Sequence, residues 1–340
     1  MGASDREPRA TGQLARRLLL AAAVGLLLYG GFFAFAEYLV YEYGDRNRFF
    51  QVATAEAEVD HIVLLGASRA LPFEFGDAHE TIEELADAPV LNLAMPGAGI
   101  VPNYLIVDYF LSMHNAQAMI YFVDSFAFYS SEWNEDRLLD SRLWQRAPHN
   151  ALLARSLWRA TREWRVDQIV LRNYVSGFSK INDPTTWFEP DIWEDEQNFE
   201  DVYTPDTWRD SSRIEFLYPD EIEEQVFRHY LSLFIDLLEE LDNKGIPLIV
   251  VKAPLRTDFY EQLPGEQAFD ERLRQLLEEH DVQLYDFSSD GFDSSLFYDP
   301  DHLNREGVTY FLEQYMESIL NEINSGAAID ASIRAGPANR

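Results

Sequence analysis

Short apolar runs recur along this chain, each closed by a turn, and they restrict its fold more than any other feature. They are Ile62–Leu65, Val90–Leu93, Met119–Val123, Ile246–Val251 and Val282–Asp286. Runs of this length and composition read as buried strands. Helical spacing of apolar residues falls between or after them, within 74–88 and over Asn103–Met113, Glu221–Asn243, Phe269–His280 and about Arg305–Ile323. Strands alternating with helices predict βαβ units, and hence an α/β fold on a parallel sheet.

The alternation breaks between about Ser130 and Pro219. All seven tryptophans lie there: Trp133, Trp144, Trp158, Trp164, Trp187, Trp193 and Trp208. We read 130–220 as an insertion over or beside the sheet. A helix is expected over Ala151–Val170, and Asn182–Asp220 reads as loop. The tryptophans either form a core of the insertion's own or offer aromatic platforms to a ligand.

Ahead of the first strand, Leu18–Phe35 carries no charge, and apolar character resumes after Glu37 as far as Tyr41. The run has the minimum length of a membrane-spanning helix. Arg6, Arg9, Arg16 and Arg17 precede it, which places 1–17 in the cytoplasm and the rest of the chain outside. We therefore expect a single-pass signal anchor over 18–41 and a membrane-proximal connector over 42–60. The competing expectation is cleavage after Ala34-Phe35-Ala36. The α/β domain then occupies 61–129 and 221–323 around the insertion. The Gly-, Ala- and Ser-rich tail, 324–340, is expected to be disordered.

Composition removes several classes. The chain has 340 residues, no cysteine and a formal net charge of -32. Disulfides and thiolate metal sites are excluded, and such a charge repels nucleic acid. The charge and the presence of only three lysines also suit a self-repelling surface adapted to high salt.

The candidate chemistry begins at Gly66-Ala67-Ser68-Arg69, directly after the first strand. Ligands of an open parallel sheet gather at the carboxyl ends of its strands. Far downstream stands Asp299-Pro300-Asp301-His302, ahead of the last helix. Nucleophilic catalysis by serine needs an imidazole to take the hydroxyl proton and a carboxylate to orient the ring. Asp299 is three residues before His302, and a turn of that length can return its carboxylate to the ring nitrogen turned away from Ser68. Asp301 is the second choice of carboxylate. Backbone N–H groups of Ser68 or Arg69, and of Gly97 in the loop after the second strand, are candidate oxyanion donors. The Arg69 side chain either binds an acid group or pairs with a carboxylate, and Asn92 is a further substrate-binding candidate. No metal or other cofactor is implied.

These blocks resemble the SGNH (GDSL-like) hydrolase superfamily, and more narrowly its exported, membrane-tethered bacterial branches, which include O-acyltransferases of cell-surface polymers. The resemblance covers 60–125 and 245–322 and leaves out the insertion. It implies a three-layer α/β/α domain with a flavodoxin-like five-stranded parallel sheet. By it, Ser68 is the nucleophile, Gly97 an oxyanion donor, and Asp299 and His302 the rest of the triad. Leu303-Asn304-Arg305-Glu306-Gly307 is similar to the start of the family's final helix. One block departs. Where the family offers an asparagine after the third strand, this chain reads Val123-Asp124-Ser125-Phe126. An ionised Asp124 would oppose an oxyanion, which leaves Ser125 as the alternative donor there. The function implied is a serine esterase or O-acyltransferase at the bacterial inner membrane, its catalytic domain outside the cytoplasm. Its substrate would be an acylated carbohydrate or a lipid-linked glycan. The alternative is an inactive relative that binds or assembles exported polysaccharide.

Overall fold

A computed structural model describes residues 7–182 and 194–323. The expected tail from Asn324 lies outside the described residues, as do Trp187 and Trp193. Five parallel strands form one sheet in the order β2-β1-β3-β4-β5. They are β1 (His61–Gly66), β2 (Val90–Asn92), β3 (Ala116–Phe122), β4 (Leu248–Lys252) and β5 (Gln283–Asp286). This is the doubly wound order in which the chain reverses direction between β1 and β3.

Every residue of β1 is buried. Successive side chains of a strand point to opposite faces, and here they divide between two cores. Val63 and Leu65 join Met119 and Tyr121 under the helices Ile100–Leu111, Glu224–Asn243 and Glu266–Glu279. Ile62 and Leu64 join Ala118, Ile120 and Phe122 under Ala78–Ala86 and the C-terminal helix that begins at Arg305. The result is three layers, helices on both faces of the sheet.

Among the described residues the insertion has no core of its own. Trp144, Leu153, Leu157, Trp164 and Tyr174 are continuous with the first of these cores. Trp164 stacks on Tyr104 with ring centroids 4.4 Å apart, while Trp158 and Trp208 are exposed. The helix expected over Ala151–Val170 ends at Glu163, and a second runs over Gln168–Ser176. The break follows from Trp164 turning into the core: Arg165 takes a φ of +61°, and Asp167 caps the new helix by accepting from Ile169 N. Nor is Asn182–Asp220 all loop. Thr207–Leu217 is helical, capped by Asp206, which accepts from Trp208 N and Arg209 N.

The stretch 42–60 belongs to the folded body. Its helix Arg48–Thr54 buries Phe49 and Val52, and Phe49 stacks on Trp144 at 4.9 Å. Ahead of it, Glu7–Tyr43 is a single helix, long and apolar enough over Gly12–Tyr43 to cross a membrane. From Gly12 to Phe32 it is exposed. Its second half docks on the insertion, burying Ala36, Leu39 and Val40.

Candidate active site

The turn after β1 positions Ser68. Gly66 has a φ of +143°, and a Cβ there would stand 2.7 Å from the Phe122 carbonyl oxygen of β3. Glycine alone satisfies both the backbone and the contact. Ser68 then opens a 3-10 helix, Ser68–Glu74, so its N–H lies among the first donors, which have no partner within the helix.

His302 comes from the opposite end of the domain. Its Nε2 lies 2.8 Å from Ser68 Oγ, and its Nδ1 lies 2.7 Å from Asp299 Oδ2. The second Asp299 oxygen accepts from the backbone N–H groups of Asp301 and His302, at 3.0 and 2.8 Å. A neutral imidazole in this arrangement donates from Nδ1 to Asp299 and accepts at Nε2 from the Ser68 hydroxyl. The ring is buried and lies parallel to Tyr298, centroids 5.4 Å apart. Burial pushes the His302 pKa down, but Asp299 and Asp301 outweigh it, so the net shift is upward.

Asp301 is not the orienting carboxylate. It lies 3.6 Å from Nδ1, and its oxygens serve two guanidinium groups. Arg69 Nε donates to Oδ2 at 3.1 Å. Arg213 donates from Nε to Oδ1 at 2.8 Å and from Nη2 to Oδ2 at 3.2 Å. Asp301 is fully buried, and despite that burial Arg213, His302 and Arg69 hold its carboxyl well below the usual range. Asp299, Asp301 and His302 stand close enough to share a cation. The two arginines already neutralise Asp301, and Asp299 is occupied by the ring and two N–H groups.

One open alternative is decided, at Arg69, and three expectations, at Asp124, Ser125 and Asn92, meet a different structure. Arg69 does not reach out for a ligand: it is buried, and its Nη1 donates to Asp124 at 2.5 Å while Nε holds Asp301. Asp124 is therefore paired with a cation and turned into the protein, although its burial still raises its pKa net of the pull of Arg69. Ser125 is not aimed at the pocket. Its hydroxyl bonds the Tyr218 hydroxyl at 2.7 Å and donates to Glu266, inside a buried cluster with Lys252 and Asp270. Asn92 is buried too: its amide donates to Ala70 O at 2.8 Å, and its oxygen accepts from Ala94 N at 3.0 Å. It ties the Ser68 turn to the loop carrying Gly97 instead of touching a ligand.

Gly97 lies in the loop after β2. It has a φ of +62°, and a Cβ would meet Trp133 Cζ3 at 2.8 Å. Ser68, His302, Asp299 and Gly97 line one cavity of about 410 Å³, with Trp133 and Arg213 in its wall. Two residues of this arrangement escaped the sequence reading. Asn103 accepts from Gly66 N at 3.0 Å and donates to Gly99 O at 2.8 Å, joining the turn after β1 to the loop after β2. It gave no local signal. Arg213 lies on the unexpected helix Thr207–Leu217, and its Nη2 is 3.4 Å from His302 Nε2. The cap Asp206 was the sign of that helix.

The model of one uncharacterised family matches residues 219–324. That is less than half of the chain; the match takes in Asp299 and His302 and omits Ser68. No curated protein matches the chain.

Proposed function

We propose that this protein is a serine-dependent esterase or O-acyltransferase of the SGNH hydrolase type. The observation that carries this reading is the relay from Ser68 Oγ through His302 to Asp299, with both bonds under 3 Å. In the first half-reaction, His302 Nε2 takes the hydroxyl proton as Ser68 Oγ bonds to an ester carbonyl carbon. The carbonyl oxygen becomes an oxyanion, held by the Ser68 and Gly97 N–H groups. Asp299 stabilises the imidazolium that forms. Collapse breaks the ester C–O bond, and the imidazolium returns its proton to the departing alcohol oxygen. In the second half-reaction, water or a sugar hydroxyl gives its proton to His302 and attacks the acyl-Ser68 carbonyl. The acyl group leaves on the acceptor, and Ser68 recovers its proton.

The helix Glu7–Tyr43 supports a reading of the place of action. We assign it to a bacterial inner membrane, with residues after Tyr43 outside the cytoplasm and an acylated surface glycan as substrate. The arginines before the apolar run support that orientation. Retention of the anchor is supported by its docking: Tyr29 donates to Ser176 O at 2.8 Å, and Glu37 pairs with the buried Lys180. Cleavage after Ala36 would remove the first contact and expose the second to a new chain end.

A serine-reactive phosphonate tests the chemistry on the full chain. Labelling that is lost in Ser68→Ala and in His302→Ala supports the reading. An intact fold that takes no label overturns it, and would favour a binding or assembly role for exported polysaccharide.

A further inference from the structure

The docking register of the N-terminal helix carries a consequence for the folded body. Its charge-free run, Leu18–Phe35, has 18 residues. At about 1.5 Å per residue it is ~27 Å long, scarcely the thickness of the hydrocarbon core alone. Yet the body already touches that run. Tyr29 donates to the Ser176 carbonyl, and the Phe33 ring fills the space beside Gly177, where a Cβ would stand 2.3 Å from it. Tyr29 is six residues short of Phe35, or ~9 Å of helix. With the run spanning a bilayer, the corner Ser176-Gly177-Phe178 cannot stay above the headgroups.

The surface of that corner suits such a place. Phe178 is 49% exposed, Val175 51% and Ile169 37%. Ile169, Arg172 and Val175 recur at helical spacing on one exposed face of Gln168–Ser176. Arg172 has no acidic partner among the described residues, in a chain with 59 acidic and 27 basic ones. Apolar side chains beside an arginine on a helix face form a surface that lies in the interface plane of a membrane.

We propose that the face of Gln168–Ser176 bearing Ile169, Arg172 and Val175, together with Phe178, is a second membrane contact, seated in the interfacial layer of a phospholipid bilayer. The body is thereby held against the membrane surface in a fixed orientation, and does not swing on a tether. This rests on the anchor reading above and goes beyond it, because an anchor alone requires no lipid contact by the body.

The absence of cysteine makes the test direct. Single cysteines are introduced by Val175→Cys and Phe178→Cys, by Val24→Cys within the apolar run, and by Glu278→Cys on the exposed side of the helix Glu266–Glu279. Each full-length variant is labelled with an environment-sensitive fluorophore and reconstituted in vesicles of phosphatidylcholine and phosphatidylglycerol. Nitroxide lipids then quench from the bilayer, and iodide quenches from water. The expected result is lipid quenching at 24, 175 and 178 at least about twofold stronger than at 278, with iodide protection in the same order. Lipid quenching at 24 alone overturns the second contact and leaves the anchor standing. No lipid quenching at 24 overturns the anchor, and this inference with it.

Discussion

Arg213 grips Asp301 with two nitrogens, at 2.8 and 3.2 Å, and the same guanidinium stands 3.4 Å from His302 Nε2. A helix of the insertion is thus part of the electrostatics of the candidate site. Asp301 raises the affinity of His302 for a proton, and Arg213 lowers it. Their pairing keeps a fully buried carboxylate charged beside the ring.

Arg213→Gln should uncouple this balance. Asp301 keeps Arg69 but loses half of its compensation, which costs about 1–3 kcal/mol of stability. The His302 pKa should rise further, because the cation that opposed protonation is gone. The rate of phosphonate labelling, followed against pH, should show its acid limb displaced to higher pH. An acid limb that stays in place would contradict the coupling.

The pH dependence of the unaltered protein follows from the same groups. The folded His302 pKa lies above its ordinary value, and only the neutral ring can accept the Ser68 proton. Labelling should therefore rise through a pH above about 6.5 and level off on the alkaline side. Stability runs the other way. A pKa raised by folding contributes stability that is fully present below the unfolded value and is lost as pH rises through the folded one. Asp299→Asn removes the main opposing charge and the acceptor of Nδ1–H. It should lower labelling by roughly 10³–10⁴-fold and move the acid limb downward.

Gly97→Ala places a Cβ against the Trp133 ring at a φ that disfavours it. The strain should cost about 1–2 kcal/mol, measured by thermal unfolding. Displacement of the Gly97 N–H should slow labelling by about 10²–10³-fold. Pairing it with Trp133→Leu relieves the collision but not the backbone strain, so stability should recover only in part.

Ser125→Ala separates the two roles available to that hydroxyl. Its bonds run to Tyr218 and Glu266, so the change should destabilise the fold by roughly 1–2 kcal/mol. The labelling rate should stay within about threefold of the parent, far from the 10²–10³-fold loss that removal of an oxyanion donor brings.

The parallel sheet, its helices and the apolar N-terminal segment were legible in the sequence, because period and length are local properties. Ser68, Asp299 and His302 were candidates in the sequence, one at a strand end and two in a short turn before a helix, but only the tertiary structure shows them meeting. The roles of Arg69, Asn92 and Ser125 were not legible. Each has a side chain able to face either ligand or protein, and the choice depends on partners 22 to 232 residues away. Arg213 was hidden for the same reason. A lone arginine in an irregular stretch becomes part of the site only when packing brings its helix to Asp301, 88 residues on. The sequence by itself determined which strands could be buried and which residue types could do the chemistry. The tertiary structure decided which charges face one another, because the strength of a buried ion pair depends on distance and desolvation, and neither exists before the chain folds.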